Sequence, residues 1–520
     1  MTQHRRKQPG TATVIGLLLG ALVAIAFPSA ALEPPYHRSM DRARTTAQDP
    51  LPASVDAQLR PVKNRGSVRL EPCPIPGTEE EMLCGSYQVL EDRRRPNGRR
   101  ISLHIAVLPP RSATPRPDPI FWLHGGPGAA ATDMAERFCS SWMREDRDLV
   151  LVDQRGTGRS RPLQCKLPGS AENLQGYIEG YFDRIPLYRR CKQRLRELTN
   201  LRMYTTPIAM DDLDEVRRAM GYQKINVIGA SYGSRAALIY LRRHGEHLRT
   251  LVLDAVDPPA AINPLYHAES AQGALDLLFE ECAQDADCAA VFPDLAQEFD
   301  TVIRRLEETP AEVSVSHPDT GEPVTVVLTR FAFTEAVRSL MYSVSGSRWV
   351  PYLIHLAYHG TLWPITEVAI EDARTSAEIL SWGTLLSVVC AEDVPRIDPA
   401  DIPRLTDGTF YGEHRVRTEM AVCEIWPQAP IPASYADPIE SEVPVLLLSG
   451  TLDPVTPPRW AEEAARHLAN SYHLVFPGSH SKSEPCVDAI TQRFVARGSV
   501  VGLNTRCAER ISLPPFELPP

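Results

Sequence analysis

The chain has 520 residues, 55 basic against 65 acidic, a formal net charge of −10 and a pI near 5.8. That balance excludes a nucleic-acid partner held on a basic surface, and the length exceeds one ordinary domain. With 47 prolines setting many rigid loops, a catalytic core carrying a large insertion is expected.

Residues 1–31 read as an export signal. A basic run, His4-Arg5-Arg6-Lys7, precedes an apolar stretch from Val14 to Phe27 and a small-residue exit at Ser29-Ala30-Ala31. The apolar run is shorter than the roughly 20 residues of a spanning helix, so cleavage after Ala31 and a mature chain without a membrane span are expected, in the periplasm or outside the cell. Eleven cysteines suit an oxidising compartment. Pairing neighbours along the chain joins Cys73 to Cys84, Cys165 to Cys191, Cys282 to Cys288, Cys390 to Cys423 and Cys486 to Cys507, and leaves Cys139 free and buried. No C-x-x-C or H-E-x-x-H spacing occurs, so neither a metal nor a cofactor is called for.

Residues 32–65 are polar and proline-punctuated and read as a linker or arm. The core is expected over 66–264. It opens with a hairpin, Gly85–Leu90 and Ile101–Val107 around an Asn97-Gly98 turn. Strand Pro119–Leu123 then runs into His124-Gly125-Gly126-Pro127-Gly128, and strand Asp148–Val152 into Asp153-Gln154-Arg155-Gly156. The apolar run Ile225–Ile228 enters Gly229-Ala230-Ser231-Tyr232-Gly233 and a helix-like stretch to Leu241. Strand and helix signals in alternation mark a mostly parallel sheet covered by helices. Residues 265–425 turn mainly helical and read as a cap inserted late in the core. Strands return at Val443–Leu448 and Tyr472–Phe476, and 426–520 completes the core.

Ser231 sits on a strand-to-helix turn with glycine two residues away on each side, the pattern of a nucleophile elbow. A serine hydroxyl needs a base to take its proton, and that histidine needs a buried acid to hold its tautomer. On an α/β-hydrolase fold the order is serine, acid, histidine. Asp453, just past the strand ending at Leu448, is the expected acid, and His480, just past Phe476, the base. Asp254 and Asp257 are the alternative acids. The tetrahedral oxyanion needs two N–H donors, assigned to the amides of Tyr232 and Gly126. His124, Asp153 and Arg155 read as loop-fixing groups.

The motifs HGGPG at 124–128, DQRGTGRS at 153–160, GASYGS at 229–234 and GTLDPVTP at 450–457 resemble the prolyl aminopeptidase and tripeptidyl aminopeptidase family of serine peptidases. Cys84-Gly85 with Glu91-Asp92-Arg93, Cys390-Ala391-Glu392-Asp393 and Cys423-Glu424-Ile425-Trp426-Pro427 extend the likeness over nearly all of the mature chain and toward the tripeptidyl branch. The resemblance implies an α/β-hydrolase with a helical cap and an exopeptidase acting on peptides with a free N-terminus, its triad falling on Ser231, Asp453 and His480. One departure stands out: this family commonly places glycine on both sides of the base, and here Ser479 and Ser481 flank it, where their side chains are expected to tighten the pocket. A protonated substrate amine calls for a carboxylate in the pocket, for which Glu392 and Asp393 are the candidates, and Trp349, Trp363 and Trp382 are candidate pocket walls. The rival readings are an esterase or other acyl hydrolase on the same fold, and a non-catalytic binding protein.

Overall fold

The computed structural model describes residues 63–481 and 484–520. The expected signal peptide and residues 32–62 of the expected arm lie outside them. Residues 63–65 belong to the sheet, which therefore starts earlier than the sequence reading placed it.

Ten strands form one sheet: β1 (Lys63–Arg65), β2 (Val68–Pro74), β3 (Glu81–Leu90), β4 (Arg100–Leu108), β5 (Ile120–Leu123), β6 (Leu149–Val152), β7 (Ile225–Ala230), β8 (Leu248–Asp254) and, after a separate hairpin of β9 (Ala311–Ser316) and β10 (Pro323–Leu328), β11 (Val445–Gly450) and β12 (Ser471–Phe476). The order is β1-β2-β3-β4-β6-β5-β7-β8-β11-β12. The first four strands and the β4–β6 pair are antiparallel, and the rest of the sheet is parallel. The hairpin expected around Asn97-Gly98 is β3–β4.

Counting helices of eight residues or more, α1 (Ile185–Leu198), α2 (Thr206–Ala219) and α3 (Tyr232–His244) precede the cap. The cap holds α4 (His267–Gln284), α5 (Leu295–Glu308), α6 (Arg330–Leu340), α7 (Val350–Tyr358), α8 (Trp363–Ile379), α9 (Trp382–Glu392) and α10 (His414–Ile425). The C-terminal core adds α11 (Pro458–Ala465) and α12 (Pro485–Arg497).

The parallel strands are apolar on both faces, as a sheet covered on both sides requires. Successive residues alternate between two cores. Val150, Val227, Leu251, Val445 and Leu447 join the layer of α2 and α3, whereas Leu149, Leu151, Ile228, Val252, Leu446 and Leu448 join the layer of α12 and Phe138. A third core builds the cap, and here the structure corrects the domain reading. Leu163, Phe182, Tyr188 and Leu195, from the segment before β7, pack with Trp382, Leu386, Val422 and Trp426, so the cap draws on two stretches of chain rather than on 265–425 alone. Five disulfides join the five expected cysteine pairs, and Cys139 is free and buried. Among the described residues no helix is long and apolar enough to cross a membrane.

Candidate active site

The loops that leave the C-terminal ends of β5, β7, β11 and β12 converge, as ligand sites of open parallel sheets do. Register explains why. Leu123 pairs with Gly229, Ala230 with Asp254, and Asp254 with Leu448, so neighbouring strands end level with one another. Ser231 follows β7 with φ 57° and ψ −128°, a conformation L-residues rarely adopt and whose cost is about 1–3 kcal/mol. Space as well as torsion demands glycine around it. A Cβ on Gly229 would lie 2.2 Å from the carbonyl oxygen of Gly233, and one on Gly233 would lie 2.1 Å from that of Leu123. Ser231 caps α3 without using its hydroxyl as a capping acceptor.

Asp453 and His480, 27 residues apart in sequence, meet across the ends of β11 and β12. His480 Nδ1 lies 2.9 and 3.0 Å from the two Asp453 carboxylate oxygens. The amides of Val455 and Thr456 donate to Asp453 Oδ1 at 2.9 and 2.8 Å, and Thr456 Oγ1 donates to Oδ2 at 2.7 Å. The carboxylate is buried and turned toward the ring. Tyr342 packs edge-on against His480, with ring centroids 5.0 Å apart. Of the two alternative acids, Asp257 is committed elsewhere, accepting from Arg235 at 2.9 Å and from Asn263. Asp254, whose backbone carbonyl accepts the Ser231 amide at 2.9 Å, borders the cavity, while the acid that meets His480 is Asp453.

The glycine turn after β5 passes directly over the nucleophile: a Cβ on Gly125 would sit 3.1 Å from Ser231 Cβ. The Gly125 amide donates to His124 Nδ1 at 2.7 Å, and burial lowers the His124 pKa to about 4, so His124 is a neutral brace of the turn. Tyr232 is the first residue of α3, and its amide has no acceptor within the helix. Asp153 and Arg155 also brace loops. Asp153 accepts from Thr132 and from the Arg159 amide, and Arg155 donates to Asp212 and to the carbonyls of Glu91 and Met203.

One cavity of about 890 Å³ holds Ser231, Tyr232, Gly126 and His480 between sheet and cap. The two carboxylates proposed for the substrate amine fare poorly. Glu392 is fully buried and does not line the cavity. Its oxygens are taken by the Thr206 amide at 2.6 Å, the Thr206 hydroxyl at 2.8 Å and the Tyr435 hydroxyl, so it joins α9 to α2 instead of facing substrate. Asp393 borders the cavity but is clamped by both Arg235 Nη1 contacts at 2.8 and 2.9 Å and by Arg396 at 3.3 Å. Of the three tryptophans only Trp382 lines the cavity, stacked on Tyr181 at 5.0 Å. Ser479 is buried with its hydroxyl donating to the Met341 and Leu452 carbonyls, so it ties the histidine loop to the end of α6 and leaves the pocket alone. Ser481 does reach the cavity.

The carboxylates that the sequence reading missed lie on cap helices. Asp372 on α8 and Glu335 on α6 both line the cavity. Glu335 is countered by Arg338 at 3.6 Å and Arg415 at 3.4 Å. Asp372 accepts only a long 3.4 Å hydrogen bond from the Tyr181 hydroxyl and has no ion pair among the described residues. Burial and the nearby Glu335 raise its pKa from 3.8 to about 7. Nothing in the sequence around either residue marks it, whereas Thr456 could have been found from its place three residues after Asp453.

Comparison with known proteins supports the motif reading. Residues 118–302 match a family model described as the α/β-hydrolase fold, and residues 408–507 match one described as TAP-like protein. Serine protease Hip1 of Mycobacterium tuberculosis is 24% identical over 478 residues, covering 82% of this chain and 87% of that protein. A tripeptidyl aminopeptidase of Streptomyces coelicolor is 28% identical over 223 residues, or 38% of each chain. A protein named carboxylesterase B, also of Mycobacterium tuberculosis, is 26% identical over 471 residues, covering 82% of this chain and 86% of its own.

Proposed function

The chain is a serine hydrolase of the α/β-hydrolase fold with a TAP-like C-terminal segment, and on that premise we propose that it is an exported exopeptidase that removes short peptides from free N-termini. Ser231 Oγ attacks the scissile carbonyl while His480 Nε2 takes its proton, and Asp453 holds the Nδ1 proton and stabilises the imidazolium. The amides of Tyr232 and Gly126 receive the oxyanion, since the Gly125 amide is committed to His124. The proton passes to the leaving amine, and water then releases the acyl group from Ser231 by the same steps in reverse.

The observation that carries the peptide reading is Asp372, a carboxylate without an ion-pair partner among the described residues, in the same cavity as the nucleophile. A substrate ammonium supplies the ion-pair partner that Asp372 lacks, whereas Glu335 beside it is already countered by Arg338 and Arg415. A cavity of about 890 Å³ is near the top of the roughly 300–1,000 Å³ range of small-ligand sites, more room than one prolyl residue uses, which supports release of a short peptide. The five disulfides support export.

An esterase is the second reading, favoured by the carboxylesterase-named relative that spans most of the chain. A matched chromogenic panel separates the two: proline-arylamide, a free-amine tripeptide-arylamide, its N-acetylated twin and an aryl ester. The proposal expects the free-amine tripeptide to be cleaved at least tenfold faster than its acetylated twin. Cleavage of the ester alone overturns it.

A further inference from the structure

Away from the catalytic cavity, α5 and α7 bring together a group of side chains with no part in the chemistry above. His355 lies in the last turn of α7 and His359 caps its end, its amide donating to the His355 carbonyl at 3.2 Å. Four residues apart on a helical path, the two imidazoles share a face, with ring centroids 4.5 Å apart. Glu298 faces them from the first turn of α5. Both its carboxylate oxygens lie 3.0 Å from His355 Nδ1, and His355 is its only ion-pair partner among the described residues. One ligand atom from each of the three residues falls within 4.8 Å of the others.

We propose that Glu298, His355 and His359 form a zinc site that clamps α5 to α7 in the cap. Two imidazoles and one carboxylate are the donor set that suits zinc, leaving a fourth position for water. Zinc bonds of about 2.0–2.2 Å place tetrahedral ligand atoms roughly 3.3 Å apart. The Glu298–His355 separation is already below that, and His359 has the smaller adjustment to make because it is exposed and free to change rotamer. The cation takes the place of the proton shared by His355 Nδ1 and Glu298. Burial grades from Glu298, which is buried, through His355 to the exposed His359, giving a fixed charge inside and an entry from solvent. Phe292 against His355 at 5.3 Å and Tyr358 against His359 at 5.1 Å supply the apolar surround that holds ligating rings in place. None of the three ligands lines the catalytic cavity. The sequence offered no familiar metal spacing because the third ligand comes from another helix.

The test is zinc uptake by tag-free, disulfide-intact protein, measured by equilibrium dialysis against micromolar ZnCl2 and by thermal melting with zinc or with EDTA. The expected result is one zinc per chain and a melting temperature raised by zinc. His359→Ala should melt like the parent without metal, bind zinc at least tenfold more weakly and show no zinc-dependent rise, while His480→Ala should bind like the parent. Should His359→Ala fold poorly, His359→Gln gives the same reading. No uptake by the parent, undiminished uptake by the His359 variants, or loss of uptake in His480→Ala alone would overturn the proposal.

Discussion

Replacing Asp372 by Asn tests the proposed amine site most directly, because it keeps the shape of the side chain and removes its charge. Truncating one partner of a desolvated charge pair costs about 2–5 kcal/mol. The cavity is open to water, so the lower half applies, about 2–3.5 kcal/mol, and kcat/KM for a free-amine tripeptide should fall about 30- to 370-fold. The N-acetylated twin has no ammonium to lose and should be cleaved at nearly the parent's rate. The pH dependence follows from the same group. With a pKa of about 7, Asp372 becomes protonated as pH falls below 7, so the ratio of free-amine to acetylated kcat/KM should drop on the acid side. Dividing one substrate by the other cancels the titration of the triad, which both share. A second decline is expected above the amine pKa of about 7.7–8.0. In Asp372→Asn the acid-side decline disappears. Stability runs the opposite way to the usual paired carboxylate. The folded protein holds the Asp372 proton more tightly than the unfolded chain, so this group's stabilising contribution is complete below pH 3.8 and lost as pH rises to about 7. At about 1.36 kcal/mol per tenfold change in proton affinity, that is at most ~4 kcal/mol, less with water in the cavity. Asp372→Asn should therefore melt higher than the parent at pH 8 and close to it at pH 4. Equal loss of both substrates, or a preference for the free amine that survives the substitution, refutes the reasoning.

Ser231→Ala should lower turnover at least about 10⁴-fold with an unchanged melting curve, and retained activity sinks the mechanism. Asp393→Asn should leave Arg235 undercompensated in a buried site and destabilise the fold by about 3–5 kcal/mol. It should also lower free-amine and acetylated turnover together, whereas a selective rise in KM for the free amine would restore Asp393 as the amine ligand. Replacing Cys390 and Cys423, 33 residues apart, by serine removes a cross-link between α9 and α10. Loop entropy puts its contribution at about 3–4 kcal/mol, read as an earlier denaturant midpoint. Gly229→Ala should yield little folded protein, because its Cβ meets a backbone carbonyl at 2.2 Å, whereas Gly273→Ala in α4, with nothing within 4 Å of the new carbon, should fold normally and gain about 0.5–1 kcal/mol.

What could be read from the sequence divides along the line between local and long-range constraint. The elbow was visible because its geometry excludes side chains at two neighbouring positions, leaving a written trace at Gly229 and Gly233. Asp453 and His480 were visible because each follows a strand whose apolar run is unmistakable, and parallel strands can end in only a few places. The disulfides followed from a pairing of neighbours that the fold leaves intact. Glu392 misled because a charged pair next to a cysteine in a cap segment looks the same in sequence whether it faces a cavity or bridges two helices. Its burial is decided by Thr206 and Tyr435, which come from α2 and from the loop before β11.

The same argument explains why the acids at the proposed amine site are the hardest to read. Asp372 and Glu335 sit on amphipathic helices, where an acidic residue ordinarily faces water. They differ from their neighbours only because the segment carrying Tyr181 and Phe182, which lies before β7 in the chain, folds against the cap and encloses them. Chemistry on this fold is set by loops anchored to the sheet, and those loops carry motifs. The wall of the cavity opposite the sheet is built where two separate stretches of chain pack on each other, which no window of sequence contains. An acid such as Asp372 whose burial comes from a distant segment also keeps its charge only at a cost to stability, and a cost retained at a cavity wall is what a binding site for a cation requires.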